Sequence, residues 1–287
     1  MYGQTLKKIR EDKGLKQKDV CQNIVTLSYY SRIERNISSP TIDVFEKLIK
    51  NLNVGLEEFM YIHNEYKKPL SDRAWFELSE LYHKGDIQGL VDAKNAILKE
   101  NGEHNDPTLT AIIDLFIARL GGNATNTNID QIIQRLMELE NWTSREARVF
   151  ITIMDELPIE TLFVVVNVLL KKRNLYAESH GFNSPYSKIL MNAVLMCIDT
   201  GYLREGYTYL RTFKNMLEIR DLFGKTMGLY LEGLIDYAKG MQTEGEKKIT
   251  DAFTIFHLLD MENFAHKYKV HFEDIKEKYA GAEVRSF

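Results

Sequence analysis

Residues 14–41 read GLKQKDVCQNIVTLSYYSRIERNISSPT, and they carry the strongest structural signal in the chain. Gly14 is a natural end for a preceding helix, because glycine adopts the left-handed backbone conformation at little cost. Thr26 offers a capping hydroxyl to a helix that Asn36 can end in the same left-handed conformation. The segment therefore predicts two short helices joined by a tight turn.

The second of these helices has an inner and an outer face. Tyr30 and Ile33 are three residues apart, which places both on the side that packs inward. Ser28, Tyr29 and Arg32 must then face outward. A helix of this kind buries its apolar side chains and keeps an edge available for a partner.

Helical patterns continue on both sides of this segment. Leu6 and Ile9 give an apolar face before it. After it, Pro40 is expected at the first position of a fourth helix. Phe59 lies on a short fifth helix and is expected to pack back on the core. Five short helices are therefore predicted in residues 1–66.

Four separated pieces of this region resemble the five-helix DNA-binding domain of phage repressors and Xre-type regulators. The pieces are Gly14-Leu15-x-Gln17, Ser31-Arg32-Ile33-Glu34-Arg35, Ser39-Pro40-Thr41 and Leu56-x-x-Phe59. The resemblance implies a recognition helix that lies in the DNA major groove and turns its N-terminal outward residues to the base edges.

The candidate DNA contacts fall into two groups. Ser28, Tyr29 and Arg32 occupy the base-reading positions, and an arginine bonded twice to guanine is worth about 1–3 kcal/mol of discrimination. Gln17 resembles the family glutamine that binds backbone phosphate and braces the recognition helix. The further phosphate contacts expected are Arg10, Lys16, Lys18 and Arg35, which set affinity rather than sequence choice. Solvated surface charge is the alternative for each lysine.

Charge is distributed unevenly along the chain. The net charge is −4, but residues 1–36 hold eight Lys and Arg against four Asp and Glu. A basic head on an acidic body fits phosphate contact through the head alone. Among the four acids, Glu34 is expected to pair with a neighbouring arginine rather than to contact DNA.

The rest of the sequence predicts helices only. Pro69 disfavours helix at the residue before it, so a linker at 67–70 is expected between a DNA-binding domain, 1–66, and a body, 71–287. Helical stretches are predicted at 71–84, 86–100, 107–120, 129–140, 144–155, 158–174, 185–200, 203–219, 223–239, 242–258 and 262–279. The predicted fold class is all-α, a five-helix Xre-type helix-turn-helix domain followed by a tetratricopeptide-like helical repeat domain.

Two stretches of the body resemble a tetratricopeptide repeat, in which small residues let two helices touch closely. The clearer one contains Leu229, Gly233, Gly240, Gly245, Ile249 and Ala252. The weaker one contains Leu190, Gly201, Gly206 and Leu210. A generic helical bundle is the alternative to a repeat array.

A repeat array presents a concave surface suited to an extended peptide. The first helix of each pair supplies that surface. The residues predicted to line it are Arg148, Thr152, Met191, Leu195, Tyr230, Leu234 and Tyr237. The alternative for each of them is that it fills the core between helices.

The chain as a whole resembles the Rgg/GadR/MutR regulators of Gram-positive bacteria. Local likeness extends over residues 51–62 and over Glu140-Asn141-Trp142, Glu146, Phe150 and Pro158-Ile159-Glu160. The resemblance implies a homodimer that binds double-stranded DNA at a two-fold site and regulates transcription. In many members a short signalling peptide controls the protein, as in quorum sensing. A ligand-independent regulator and an interaction scaffold that does not read DNA are the alternatives.

The last helices are the expected dimer contact between bodies, through a stripe of large apolar residues. Those residues are Phe253, Phe256, Leu258, Phe264 and Tyr268. Such a stripe is more often core or interface than a ligand site.

Other classes of protein find little support in the sequence. The strongest apolar window, Leu162 to Leu170, is too short to span a bilayer. The histidines are scattered, Cys21 and Cys197 have no CxxC spacing, and the glycine-rich loops and nucleophile motifs of common enzymes are missing. We therefore expect a cytoplasmic protein that is not an enzyme, with no catalytic residue, cofactor or metal, and with no membrane partner.

Overall fold

The computed structural model describes residues 2–67, 70–100, 107–123, 129–171 and 184–280. Within these ranges the chain is helical and forms no β-strand, so the all-α prediction is confirmed. The chain divides into two compact units, Met1–Ala93 and Lys94–Phe287. The linker expected at 67–70 stays a prediction, because Lys68 and Pro69 fall outside the described residues.

The first unit begins with the five predicted short helices. They are α1 (Gly3–Asp12), α2 (Gln17–Cys21), α3 (Leu27–Glu34), α4 (Ile42–Asn51) and α5 (Leu56–His63), followed by α6 (Leu70–His83) and the first part of α7 (Ile87–Glu100). The apolar faces of α1 to α5 meet in one core. Its buried residues are Leu6, Ile9, Val20, Cys21, Tyr30, Ile33, Phe45, Leu48, Ile49, Leu52, Val54 and Phe59.

Local chemistry explains where these helices begin and end. Gly14 and Asn36 have φ of 66° and 59°, as expected for residues that follow a helix in the left-handed region. Thr26 caps α3, since its hydroxyl oxygen accepts a hydrogen bond from the backbone N–H of Tyr29 at 3.3 Å. The position predicted for Pro40 is wrong, because Thr41 is the N-cap of α4 and Pro40 lies one residue before it.

The second unit is a succession of longer helices. They are α8 (Pro107–Arg119), α9 (Ile129–Glu138), α10 (Ser144–Ile153), α11 (Ile159–Lys171), α12 (Pro185–Thr200), α13 (Leu203–Met216), α14 (Leu222–Ala238), α15 (Gln242–Leu258) and α16 (Glu262–Tyr279). A 3-10 turn, Met154–Glu156, follows α10. Each predicted stretch of the body from 107 onward corresponds to one of these helices; the end of the 158–174 stretch lies outside the described residues.

Paired helices pack as the repeat pattern predicts. Helix α12 contacts α13 and α14, while α14 contacts α15 and α16. A Cβ placed on Gly233 would lie 2.8 Å from the carbonyl oxygen of Gly245, and one on Gly245 would lie 2.6 Å from that of Gly233. The two backbones touch at this point, which is why both helices carry a glycine there.

Candidate nucleic-acid interface and ligand groove

Helix α3 presents an exposed edge at its N-terminal end and middle. Ser28 and Arg32 are exposed one helical turn apart, as predicted, while Tyr30 and Ile33 are buried in the core. Leu27, in the first turn of the same helix, is 51% exposed. Leu27 is not in the predicted set, although it stands directly before Ser28 in the first turn of the helix.

Tyr29 is less exposed than Ser28 and Arg32. Its ring is half-buried against the core, and its hydroxyl donates a hydrogen bond to the carbonyl oxygen of Ser39 at 3.2 Å. Ser39 lies in the loop between α3 and α4, so Tyr29 braces that loop. Its assignment as a base-reading residue stays a prediction.

A buried ionic cluster joins the first three helices. Arg10 on α1 donates to both carboxylate oxygens of Glu34 on α3, at 2.6 Å and 3.0 Å. Gln17 on α2 donates to the same carboxylate at 2.7 Å. Arg10 also donates to the backbone oxygen of Leu15 at 3.0 Å, in the turn between α1 and α2. The cluster fixes the orientation of α3 relative to its neighbours.

The ionisation of this cluster follows from its hydrogen bonds. Burial works against the charge of Glu34, but hydrogen bonds from Arg10 and Gln17 outweigh it and lower the pKa of the carboxyl group. The hydrogen bond to Glu34 likewise raises the pKa of Arg10, against the effect of burial. Both groups are therefore charged at neutral pH, as a buried pair requires.

This geometry bears on one predicted phosphate contact, that of Arg10, and the other contacts stay predictions. Arg10 is only 8% exposed and its guanidinium is occupied by Glu34, so it is a structural residue. Gln17 braces the recognition helix through Glu34, in agreement with the role that the resemblance implied. Lys16, Lys18 and Arg35 are exposed on the surface of the same unit.

Four of the predicted groove residues lie on two helices that contact each other. Arg148 and Thr152 are one turn apart on α10, and Met191 and Leu195 are one turn apart on α12. All four side chains are half-buried. Their role in lining a groove stays a prediction.

The other three predicted groove residues do not line an open surface. Tyr230, Leu234 and Tyr237 on α14 are buried, at 0%, 0% and 7% exposure. Helix α16 covers two of them, with ring centroids 5.1 Å apart for Tyr230 and Tyr268 and 5.3 Å apart for Tyr237 and Phe272. Their assignment to the groove is corrected, since they form the core between α14 and α16.

The end of α16 reaches back to α12. Tyr279 donates a hydrogen bond to the backbone oxygen of Ile198 at 2.7 Å, and Lys278 bonds to that of Asp199. His271 lies 3.1 Å from the Asp199 carboxylate and 2.8 Å from the Tyr230 hydroxyl. These contacts hold α16 against the C-terminal end of α12 and the middle of α14.

The stripe expected at a dimer contact is only partly exposed. Phe256 and Tyr268 are buried at 0% and 6%, and stack on each other with centroids 6.3 Å apart. Leu258 and Phe264 remain 78% and 40% exposed at the junction of α15 and α16. The buried pair belongs to the core, which leaves the exposed pair as the available part of the stripe.

Metal sites and membrane spans are both missing from the described residues. Among the described residues, no group of three His, Cys, Asp or Glu side chains is placed to hold a metal ion. No helix in this part of the chain is long and apolar enough to cross a membrane.

An exposed recognition helix on a five-helix domain, followed by helical pairs, defines the class of DNA-binding regulators with a helical C-terminal domain. Family models agree with this description. The model for the C-terminal domain of the HTH-type transcriptional regulator Rgg matches residues 91–270, and a helix-turn-helix model matches residues 6–59. The chain belongs to the Rgg family of transcriptional regulators.

Solved structures share the fold over nearly the whole chain. A protein from Listeria monocytogenes EGD-e described as a transcriptional regulator matches with a TM-score of 0.86 and 22% identity, over 96% of this chain and 97% of that one. The SHP pheromone receptor Rgg2 of Streptococcus dysgalactiae matches with a TM-score of 0.77 and 18% identity, over 96% and 99%. The PrgX/cCF10 complex matches with a TM-score of 0.71 and 15% identity, over 96% and 92%.

Proposed function

We propose that this regulator binds a two-fold DNA site as a homodimer and that a short signalling peptide controls it by binding on the face that α10 and α12 form together. The exposed edge of α3 is the observation that carries the DNA-binding part, because Ser28 and Arg32 are presented there on a braced helix. Regulation then proceeds by binding alone, without catalysis, in the cytoplasm.

The peptide part rests on the half-buried α10–α12 face. Apolar side chains of Met191 and Leu195 offer contact area, and Arg148 places a cation within the same face. A short peptide with an acidic group and apolar side chains suits this combination. Solved proteins of the same fold include the SHP pheromone receptor Rgg2 and a bacterial peptide pheromone/receptor complex, which is why a peptide is the ligand that we propose.

The DNA-binding part is tested by footprinting the purified protein on the DNA that flanks its own gene. We expect protection of a two-fold site that is lost in Arg32→Ala. Lys18→Ala is the matched comparison, because a lost phosphate contact weakens binding to all sequences and lowers the salt slope by about one. Protection that is unchanged in Arg32→Ala would contradict the assignment of α3.

The peptide part is tested with fluorescently labelled synthetic peptides taken from the short reading frames beside the gene. We expect one of them to bind, and Arg148→Ala and Met191→Ala to weaken its binding. Arg204→Ala on α13 is the control, since Arg204 is exposed on a helix outside the proposed groove. Equal binding by all variants would place the ligand elsewhere.

A further inference from the structure

Leu27 is an exposed apolar residue at the point where α3 would meet DNA. It is the first residue of the helix, directly after the Thr26 cap, and half of its surface is exposed. The neighbouring apolar residues behave differently, since Ile24, Val25 and Tyr29 are partly buried against the core. Because N-terminal outward residues of a recognition helix approach the base edges, Leu27 is placed to touch them.

The chemistry of leucine restricts what it can recognise there. In the major groove each base pair presents its own pattern of donors and acceptors, and thymine adds a C5-methyl group. A leucine side chain can neither donate nor accept a hydrogen bond, so cytosine, guanine and adenine edges leave their polar groups unpaired against it. The thymine methyl is the apolar group that it can cover.

We propose that Leu27 reads a thymine in each half-site through contact with the C5-methyl group. This inference rests on the proposed DNA-binding function of α3 and specifies part of its target. Ser28 and Arg32 supply the hydrogen bonds of α3, and Leu27 supplies an apolar contact from the first turn of the helix. Tyr29 donates a hydrogen bond to the carbonyl oxygen of Ser39, so Leu27 and Ser28 are the more exposed residues of the first turn.

The spacing along α3 relates this thymine to the guanine that Arg32 reads. Leu27 and Arg32 are five residues apart, which corresponds to a rise of about 7.5 Å at 1.5 Å per residue. The bases of one strand are about 3.4 Å apart along the DNA axis. The thymine is therefore expected within about two base pairs of the guanine.

The test begins with selection of bound duplexes from a random DNA library, using the full-length protein. Each thymine of the selected half-site is then replaced by deoxyuridine, which removes only the methyl group. For the protein with Leu27, replacing one thymine per half-site by deoxyuridine should lower the affinity about fourfold, because about one buried carbon is lost from the contact. For Leu27→Ala we expect the same replacement to change nothing.

Leu56→Ala provides the matched control. Leu56 is also the first residue of a helix and is 49% exposed, but it lies on α5. This variant should keep the full response to deoxyuridine. A circular dichroism melt of each variant shows whether Leu27→Ala is folded, and Leu27→Met, which keeps an apolar side chain, should retain a response to the methyl group.

The outcomes separate this inference from the proposed function. Selection of a site that depends on Arg32, with no thymine that responds to deoxyuridine, would overturn the role of Leu27 alone. An equal response in the Leu27 protein and in Leu27→Ala would overturn it too. A library that yields no enriched sequence would overturn sequence-specific binding by α3 and the role of Leu27 with it.

Discussion

The three arginines of residues 1–36 have two different roles. Arg10 is buried and holds α1 to α3 through Glu34, whereas Arg32 and Arg35 are exposed on the recognition helix or just after it. All three carry the same charge. Their roles differ because a buried arginine is committed to its carboxylate partner, while an exposed one can exchange water for a phosphate or a base.

Arg10→Ala should destabilise the first unit, because it leaves the Glu34 carboxylate buried without its main partner. Breaking a buried ion pair in this way costs about 3–5 kcal/mol. Arg35→Ala is the matched control, and its stability should stay within about 0.5 kcal/mol of the parent, as for most surface changes. Hydrogen–deuterium exchange of peptides from α1 and α3 measures both effects. Equal protection in the two variants would contradict the structural role of Arg10.

The same cluster predicts a loss of stability in acid. The pKa of Glu34 is lowered in the folded protein, so its contribution is present above the ordinary glutamate pKa of about 4.3 and is lost as the pH falls below it. Exchange protection of α1 and α3 should therefore decrease below about pH 4.3. Glu34→Gln removes the titrating group, and its protection should depend less on pH in this range, although it is lower throughout. An unchanged pH dependence in Glu34→Gln would assign the effect to other carboxylates.

The sequence predicted that Glu34 pairs with an arginine, but it did not predict that this arginine is Arg10. Spacing along one helix predicts which side chains share a face, and it correctly placed Tyr30 and Ile33 inward. Arg10 and Glu34 are 24 residues apart, on helices whose packing a one-dimensional pattern does not specify. The hydrogen bond of Tyr29 was missed for a related reason, since the loop oxygen of Ser39 that it binds is positioned by the turn into α4.

At the scale of elements, contacts between paired helices depend on single glycines. Helices α14 and α15 approach until the backbones of Gly233 and Gly245 touch. Helices α12 and α13 carry the weaker of the two repeat patterns. A Cβ on Gly206 would lie 3.0 Å from the Cβ of Cys197, and the nearest backbone atom of the neighbouring helix would be 3.9 Å away. The clearer of the two sequence patterns therefore marks the closer helix contact.

Gly245→Ala should destabilise the second unit more than Gly206→Ala does. A Cβ at residue 245 would lie 2.6 Å from backbone atoms that cannot rotate away, and overpacking of this kind costs about 1–3 kcal/mol. At residue 206 a small shift of Cys197 suffices, and the better helix propensity of alanine offsets up to about 1 kcal/mol. Chemical denaturation followed by far-UV circular dichroism compares the two variants. A larger loss in Gly206→Ala would contradict this packing.

The packing of helices also explains why Tyr230, Leu234 and Tyr237 were wrongly predicted to line the groove. An amphipathic helix leaves one side polar, but α14 is apolar on most of its circumference, with buried residues that include Met227, Leu231 and Ile235. A helix that is apolar all round is covered on several sides. The sequence contained this information, while the identity of the covering helix, α16, depends on how the chain folds back.

At the scale of the whole molecule, the proposed DNA-reading and ligand-binding surfaces lie in separate units of the chain. The exposed edge of α3 belongs to the first unit, and the α10–α12 face belongs to the second. Control by a ligand then requires a coupling free energy between the two surfaces, and that coupling is reciprocal. If peptide strengthens DNA binding by a given factor, DNA must strengthen peptide binding by the same factor.

The proposed homodimer makes a geometric prediction about its DNA site. Two recognition helices related by a two-fold axis reach half-sites on one face of the duplex, about one helical turn or a multiple of it apart. Inserting five base pairs between the half-sites rotates one of them to the opposite face, and the second recognition helix then loses its contact. Affinity should fall roughly a hundredfold or more, towards that of a single half-site, because simultaneous binding by linked modules is worth about 10²–10⁴.

Electrophoretic mobility shifts on the selected site and its five-base-pair insertion measure this effect directly. A spacer of changed sequence and unchanged length is the control, and it should leave affinity nearly the same unless the DNA must bend there. Arg32→Ala should reduce binding to the intact site and to the single half-site alike, since each half-site has its own guanine contact. If the insertion and the intact site bind equally, the two heads do not act together, and the protein reads each half-site independently of a dimer.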